Sequence, residues 1–117
     1  MPAEILENCI FCKIASKEVK SRIIKETGSF IVIKDVNPVA PVHFLIISKK
    51  HYASVNDIDE GFNGEEVFKT IKELAKEYKV DEKGFRVVIN TNNDGGQTVM
   101  HLHIHFMAGK TFGWPPG

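Results

Sequence analysis

Long apolar runs are missing from this chain: one of the most apolar stretches, Phe44-Leu45-Ile46-Ile47, falls far short of the roughly 20 residues that cross a bilayer. No membrane association is expected. Charge of one sign is missing too, because 15 basic residues balance 15 acidic ones, so nucleic acid is not an expected partner either. A phosphate-bearing ligand would have to be held by local groups. Cysteine is scarce, with only Cys9 and Cys12, too few for a disulfide framework. The start is acidic and polar where a secretory signal would be basic and then apolar, which points to a reducing, cytoplasmic setting. Internal repeats and low-complexity tracts are absent as well. At 117 residues with 43% hydrophobic content, residues 1–117 are expected to form one domain around one core.

What is present is a regular alternation of element signals. Ile10, Phe11, Ile14 and Ala15 suit a short helical turn after an Asn8 start signal. Ile23-Ile24 and the stretch Phe30 to Lys34 read as a hairpin about Thr27-Gly28-Ser29. Pro38 and Pro41 then forbid helix, and His43 to Ser48 resumes as an apolar strand. A helix is predicted from about Glu65 to Tyr78, with an apolar stripe of Val67, Phe68, Ile71, Leu74, Ala75 and Tyr78 and a capping box from Asn63 and Glu66. Phe85 to Asn90 reads as a fourth strand, Asp94-Gly95-Gly96-Gln97 as a loop, and Thr98 or Val99 to Met107 as a last strand. The pattern predicts an α+β fold: an antiparallel sheet of about five strands, one main helix and a short N-terminal helix.

The chemistry is concentrated in that last strand. His101-Leu102-His103-Ile104-His105-Phe106 places three of the five histidines at i, i+2 and i+4, so a strand would send the imidazoles to one face and the apolar side chains to the other. Such a row offers a nucleophile, a general acid or base, and a metal ligand. The preceding loop, Asn93 to Thr98, reads as an anion-binding turn in which two glycines admit close backbone approach and Gln97 and Thr98 add donors. An ordinary turn between strands is the alternative.

The run from Gly95 through Gln97-Thr98-Val99-Met100 to His105-Phe106-Met107 resembles the motif of the histidine-triad (HIT) family. Cys9-Ile10-Phe11-Cys12-Lys13-Ile14, Asp35-Val36-Asn37-Pro38, Ala40 to Ile47 and Lys49-Lys50-His51 extend the resemblance over nearly the whole chain, and Trp114-Pro115-Pro116-Gly117 resembles the tail of its Hint branch. The resemblance implies a homodimeric purine nucleoside phosphoramidate hydrolase acting on AMP- or GMP-type substrates through a covalent nucleotidyl-histidine. It implies His103 as nucleophile, with His105 and His43 orienting it and contacting phosphate oxygens. Asn90, Gly96, Gln97 and Thr98 would complete the phosphate site, Thr98 standing where the family often has Ser. Asp35 matches the position that binds a ribose diol, although an Asp there also commonly caps a turn. Ile10, Phe11, Ile33 and Val36 match the apolar slot for a base; by composition alone they read as core.

Cys9-x-x-Cys12 opens a zinc reading. Two thiolates three apart, with His51 and His101, would make a closed Cys₂His₂ site, structural and not required for chemistry; zinc-binding relatives of the resembled family use corresponding histidines. Two buried free thiols or a redox pair are the alternatives. Other activities consistent with the resemblance are a dinucleoside polyphosphate hydrolase or nucleotidyl transferase, and a non-catalytic nucleotide-binding regulator.

Overall fold

The structure is a computed structural model that describes residues 8–117. Helix α1 spans Ile10–Ala15, the hairpin β1 Ile23–Glu26 and β2 Phe30–Lys34, then come β3 Val42–Ser48, α2 Gly64–Glu77, β4 Phe85–Val88, α3 Asn92–Gly95 and β5 His103–Ala108. The five strands form one antiparallel sheet in the order β1-β2-β3-β5-β4, as the α+β reading expects. Strand β4 is therefore an edge.

Period-two patterning gives each face of the sheet a different task. Phe30, Val32, Phe44, Ile46, Ile104 and Phe106 pack under Val67, Ile71, Leu74 and Ala75 of α2 and make the larger core. Each of these side chains larger than alanine contributes about 1.5–3 kcal/mol by leaving water. The opposite face carries Ile31, Ile33, Leu45 and Ile47, covered by Phe11 and Ile14 of α1. A six-residue helix is too short to hold itself, so α1 persists through this burial. The register pairs His43 with Met107, Leu45 with His105 and Ile47 with His103, so the three histidines lie on the α1 face, continuing its apolar floor.

Several local expectations are corrected. The cap of α1 is Cys9, whose Sγ accepts from the Cys12 N–H at 3.3 Å, and not Asn8. Asn63 does cap α2, accepting from Glu66 N–H at 3.0 Å, but the Glu66 carboxylate returns to the Asn63 side-chain amide, at 3.3 Å, and not to its backbone N–H. It accepts from Ser29 N–H at 2.7 Å and from the Thr27 hydroxyl, tying the helix to the hairpin turn and holding its own carboxyl below the usual range. Phe68 is 74% exposed and so stands outside the buried stripe, while Tyr78 rests its ring edge on Phe44. Strand β4 stops at Val88 instead of Asn90, the Asp94 loop contains the single turn α3, and β5 begins only at His103. The delay has a simple cause: Leu102 N–H donates to Tyr52 O at 2.7 Å, in the loop after β3, and only the Leu102 carbonyl meets β3, accepting from Ser48 N–H at 3.4 Å. His101 is therefore outside the strand that carries His103 and His105.

Candidate active site on the histidine face

Hydrogen bonds fix the proton on each imidazole. His103 Nδ1 lies 2.7 Å from the carbonyl oxygen of His101, which can only accept, so Nδ1 carries the proton and Nε2 keeps its lone pair. The ring is 7% exposed, and Phe11 stands edge-on to it with centroids 5.0 Å apart.

The neighbouring pair is ordered from the far end. Val39 N–H donates to His43 Nδ1 at 3.1 Å, which places the His43 proton on Nε2. That Nε2–H faces His105 Nδ1 at 2.9 Å, with Asp35 Oδ2 at 3.3 Å, so His105 accepts on Nδ1 and bears its own proton on Nε2. The constellation thus holds an unprotonated nitrogen on His103 and an N–H donor on His105, with ring centroids 5.1 Å apart. Burial pushes His43 below its ordinary range against the opposing pull of Asp35. His105 is lowered to about 4, chiefly by burial and then by the neighbouring His103 and His43. Asp35 also accepts from Asn37 N–H at 2.8 Å, so the turn-capping alternative holds for one of its oxygens.

A second cluster forms where α1 meets the segment before β5. His101 Nδ1 lies 3.1 Å from Cys9 Sγ, 3.5 Å from Cys12 Sγ and 3.1 Å from His51 Nδ1, and Cys12 Sγ is 3.3 Å from His51 Nδ1. All four ligand atoms lie within 4.8 Å of one another. His101 Nε2 is 2.7 Å from Ser48 O, so it holds the proton and leaves the Nδ1 lone pair pointing into the cluster. Burial, the largest cause, lowers His101 to about 4.

The glycine loop departs from its expected role. Gln97 is buried with its amide spent: Nε2 donates to Ala53 O and Val99 O, and Oε1 accepts from Asn92 N–H. The N–H groups of Gly96 and Gln97 donate to Asn93 O and Asn92 O, closing α3 with Gly96 at a left-handed φ of 82°. In this structure the loop is a scaffold, and these donors do not point at a free anion. Thr98 is exposed on the rim of a depression shared with Cys9, Ile10 and His51, and Asn90 is half-buried just past β4. Of the base-slot residues, Phe11 and Ile33 are buried together, whereas Ile10 and Val36 are 44% and 86% exposed.

The sequence profile of the HIT domain matches residues 16–112. The chain belongs to the HIT family. Protein HitA of Neisseria gonorrhoeae is 42% identical to this HIT chain over 106 residues, covering 88% of it and 97% of the relative. Among solved structures, a HIT family hydrolase from Legionella pneumophila superposes with a TM-score of 0.88 at 40% identity, covering 94% of this chain and all of the other. A histidine triad nucleotide-binding protein from Candida albicans gives 0.81 at 32% identity, over 92% of this chain and 83% of the other.

Sequence reasoning overlooked the backbone groups that prepare this HIT site. Val39 N–H sets the His43 tautomer, Ser48 O orients His101, and Ala53 O holds Gln97. Main-chain atoms have no residue-type signal, although the two prolines flanking Val39 mark a rigid extended loop that presents its N–H inward.

Proposed function

We propose that this HIT protein cleaves the P–N bond of purine nucleoside 5′-phosphoramidates through a nucleotidyl-His103 intermediate. The observation that carries the reading is the assigned pair of nitrogens, the His103 Nε2 lone pair beside the His105 Nε2–H. His103 Nε2 attacks phosphorus, the P–N bond to the amine breaks, and the amine leaves taking up a proton. Water then attacks the same phosphorus, the bond to His103 breaks, and AMP or GMP departs with the free imidazole restored. His105 donates to the phosphate oxygens, and His43 holds His105 in the donating tautomer. A fixed donor beside developing charge lowers the barrier without reorganising during the step. Asp35 is the acceptor for the ribose diol, with Phe11 and Ile33 as the floor under the base. The hydrolase description of the Legionella relative and the nucleotide-binding description of the Candida relative support the same class of chemistry.

The Cys9, Cys12, His51 and His101 cluster suits zinc. Tetrahedral zinc with Zn–S of about 2.3 Å and Zn–N of about 2.0–2.1 Å separates its ligand atoms by roughly 3.3–3.8 Å; four of the cluster's six pairs lie at 3.1–3.5 Å and all six within 4.8 Å. Four protein ligands would leave no open position, so such an ion would supply structure to the N-terminal helix and no step of the reaction. A second copy of the chain is the expected partner. The edge strand β4 with its exposed Phe85, followed by exposed Ile89 and with the exposed Phe68 of α2 beside Ile89, offers a strand edge and an apolar patch for sheet-to-sheet pairing.

The test is turnover of AMP-morpholidate and lysyl phosphoramidates against diadenosine polyphosphates, with mass spectrometry of acid-sensitive adducts on the enzyme. Preference for phosphoramidates and an adenylyl group on His103 is expected. Faster cleavage of the polyphosphates, or no adduct at His103, overturns the reading.

A further inference from the structure

We infer that the cleft between the turn joining α2 to β4 and the segment after β5 binds a short linear oligophosphate, at a site separate from the histidines. The cleft encloses about 750 Å³ and is lined by Lys79, Lys83, Arg86 and Lys110 together with Phe112. That volume lies within the roughly 300–1,000 Å³ of small-ligand sites. None of the lining residues is acidic; Asp81 and Glu82 belong to the same turn but are exposed and do not line it. In a chain whose 15 basic and 15 acidic residues cancel, four cations around one hollow are a local excess. Among the described residues none of the four is in an ion pair, whereas Lys17, Lys25, Lys49 and Lys50 are all paired with carboxylates. Like charges gathered this way repel one another, and a multivalent anion relieves the repulsion.

The backbone fixes the walls. Lys79, at a left-handed φ of 58°, closes α2: its N–H donates to Lys76 O and the Val80 N–H to Ala75 O, so the last carbonyls of the helix are taken and do not face an anion bare. On the other side Gly109 turns the chain out of β5 at a φ of 94°, where a Cβ would lie 2.9 Å from Pro41. Arg86 stands between the walls, half-buried, with Nη2 donating to Gly113 O at 2.8 Å and its guanidinium 5.1 Å from the centre of the Phe112 ring. Lys110 Nζ lies 5.7 Å from the same ring, so one aromatic holds two of the cations. Arg86 has five N–H donors and spends one here, which leaves the planar fork that phosphate oxygens accept in pairs. The site shares no residue with the histidine constellation. Arg86, Met107 and His43 form one row across β4, β5 and β3, so roughly 10 Å of sheet separates Arg86 from His43. A chain of a few phosphates fits the cleft and meets all four cations, whereas a long polyanion would need a basic surface that the neutral balance of the chain does not supply.

The experiment titrates the full ¹⁵N-labelled chain with sodium tripolyphosphate at about 0.15 M ionic strength, reading affinity by calorimetry and location by amide shifts. Saturable binding is expected, with shifts centred on residues 79–86 and 109–113 and with inorganic phosphate at least about tenfold weaker because it spans fewer cations. The double substitution Lys79→Gln with Lys83→Gln removes two cations that make no hydrogen bond or ion pair, and should raise Kd about tenfold or more. If that variant fails to fold, Lys110→Gln should raise Kd several-fold. ATP, followed at the same amides, separates a free phosphate chain from that of a nucleotide: equal affinity leaves the nucleoside outside the cleft and tighter binding brings it in. No saturable binding, an affinity that the variants leave unchanged, or shifts centred on His103 and His105 overturn the inference. A ten-residue oligothymidylate that binds more tightly than tripolyphosphate overturns it too, by making the cleft part of a nucleic-acid surface. None of these outcomes depends on the reaction proposed for His103.

Discussion

Withdrawal of zinc gives the most quantitative expectation. The cluster joins Cys12 to His51 across 39 residues and Cys9 to His101 across 92, so an ion there would close two long loops that α1 otherwise closes only with Phe11 and Ile14. Chain entropy puts a cross-link over either separation at roughly 4 kcal/mol. Mass action gives a similar figure, about 2.7–4.1 kcal/mol when free zinc is 100 to 1,000 times its dissociation constant. A chain of this length unfolds with an entropy of about 0.25 kcal/mol/K, so losing about 3–4 kcal/mol lowers Tm by about 12–16 °C. Elemental analysis of tag-free protein should find one zinc per chain, and calorimetry with and without a chelator should show this drop. Catalysis by the still-folded fraction should fall by less than complete loss of the nucleophile would cause. Protein that purifies without zinc, or whose Tm is the same after chelation, refutes the argument and leaves Cys9 and Cys12 as thiols, half-buried and buried respectively.

His103→Ala should reduce phosphoramidate turnover by at least about 10³-fold while AMP binding by calorimetry and the circular dichroism melt change little. His105 is held near 4 in the folded chain and returns to about 6.5 when unfolded, so the unfolded state binds more protons between these values. This contribution to stability is full above about pH 6.5 and is lost as pH falls toward 4; His105→Asn should make the fall of melting temperature over that window shallower, the remainder coming from His101, which is lowered to about 4 as well. Phe68→Glu places a charge on the exposed apolar patch and should weaken self-association about tenfold or more in analytical ultracentrifugation, with the monomer fold retained. The tail is docked, since Arg86 Nη2 donates to Gly113 O at 2.8 Å and its guanidinium sits over Phe112, leaving Trp114 83% exposed. Deleting residues 112–117 should change relative kcat/KM among amine leaving groups and leave AMP affinity unchanged; equal losses for every amine would remove the tail from leaving-group recognition.

Near neighbours along the chain account for much of the fold. Continuous apolar runs specify β2 and β3, the 3.6-residue stripe and Asn63 specify α2, and the alternation His103-Ile104-His105-Phe106 in β5 splits chemistry from core because a strand has no other way to place them. The family motif is equally local, which is why the candidate nucleophile could be named from it. Groups far apart in the chain account for the rest. His101 leaves the expected strand because Tyr52 O captures the next N–H, and Gln97 becomes a scaffold because Ala53 O captures its amide. Phe68 fits the helical period yet faces outward, since a stripe marks a direction on the helix and only the sheet beneath sets how wide a strip it covers. The protons on His103 and His43 were settled by two main-chain groups, His101 O and Val39 N–H; every residue carries the carbonyl and every residue except proline the N–H, so no sequence pattern marks them.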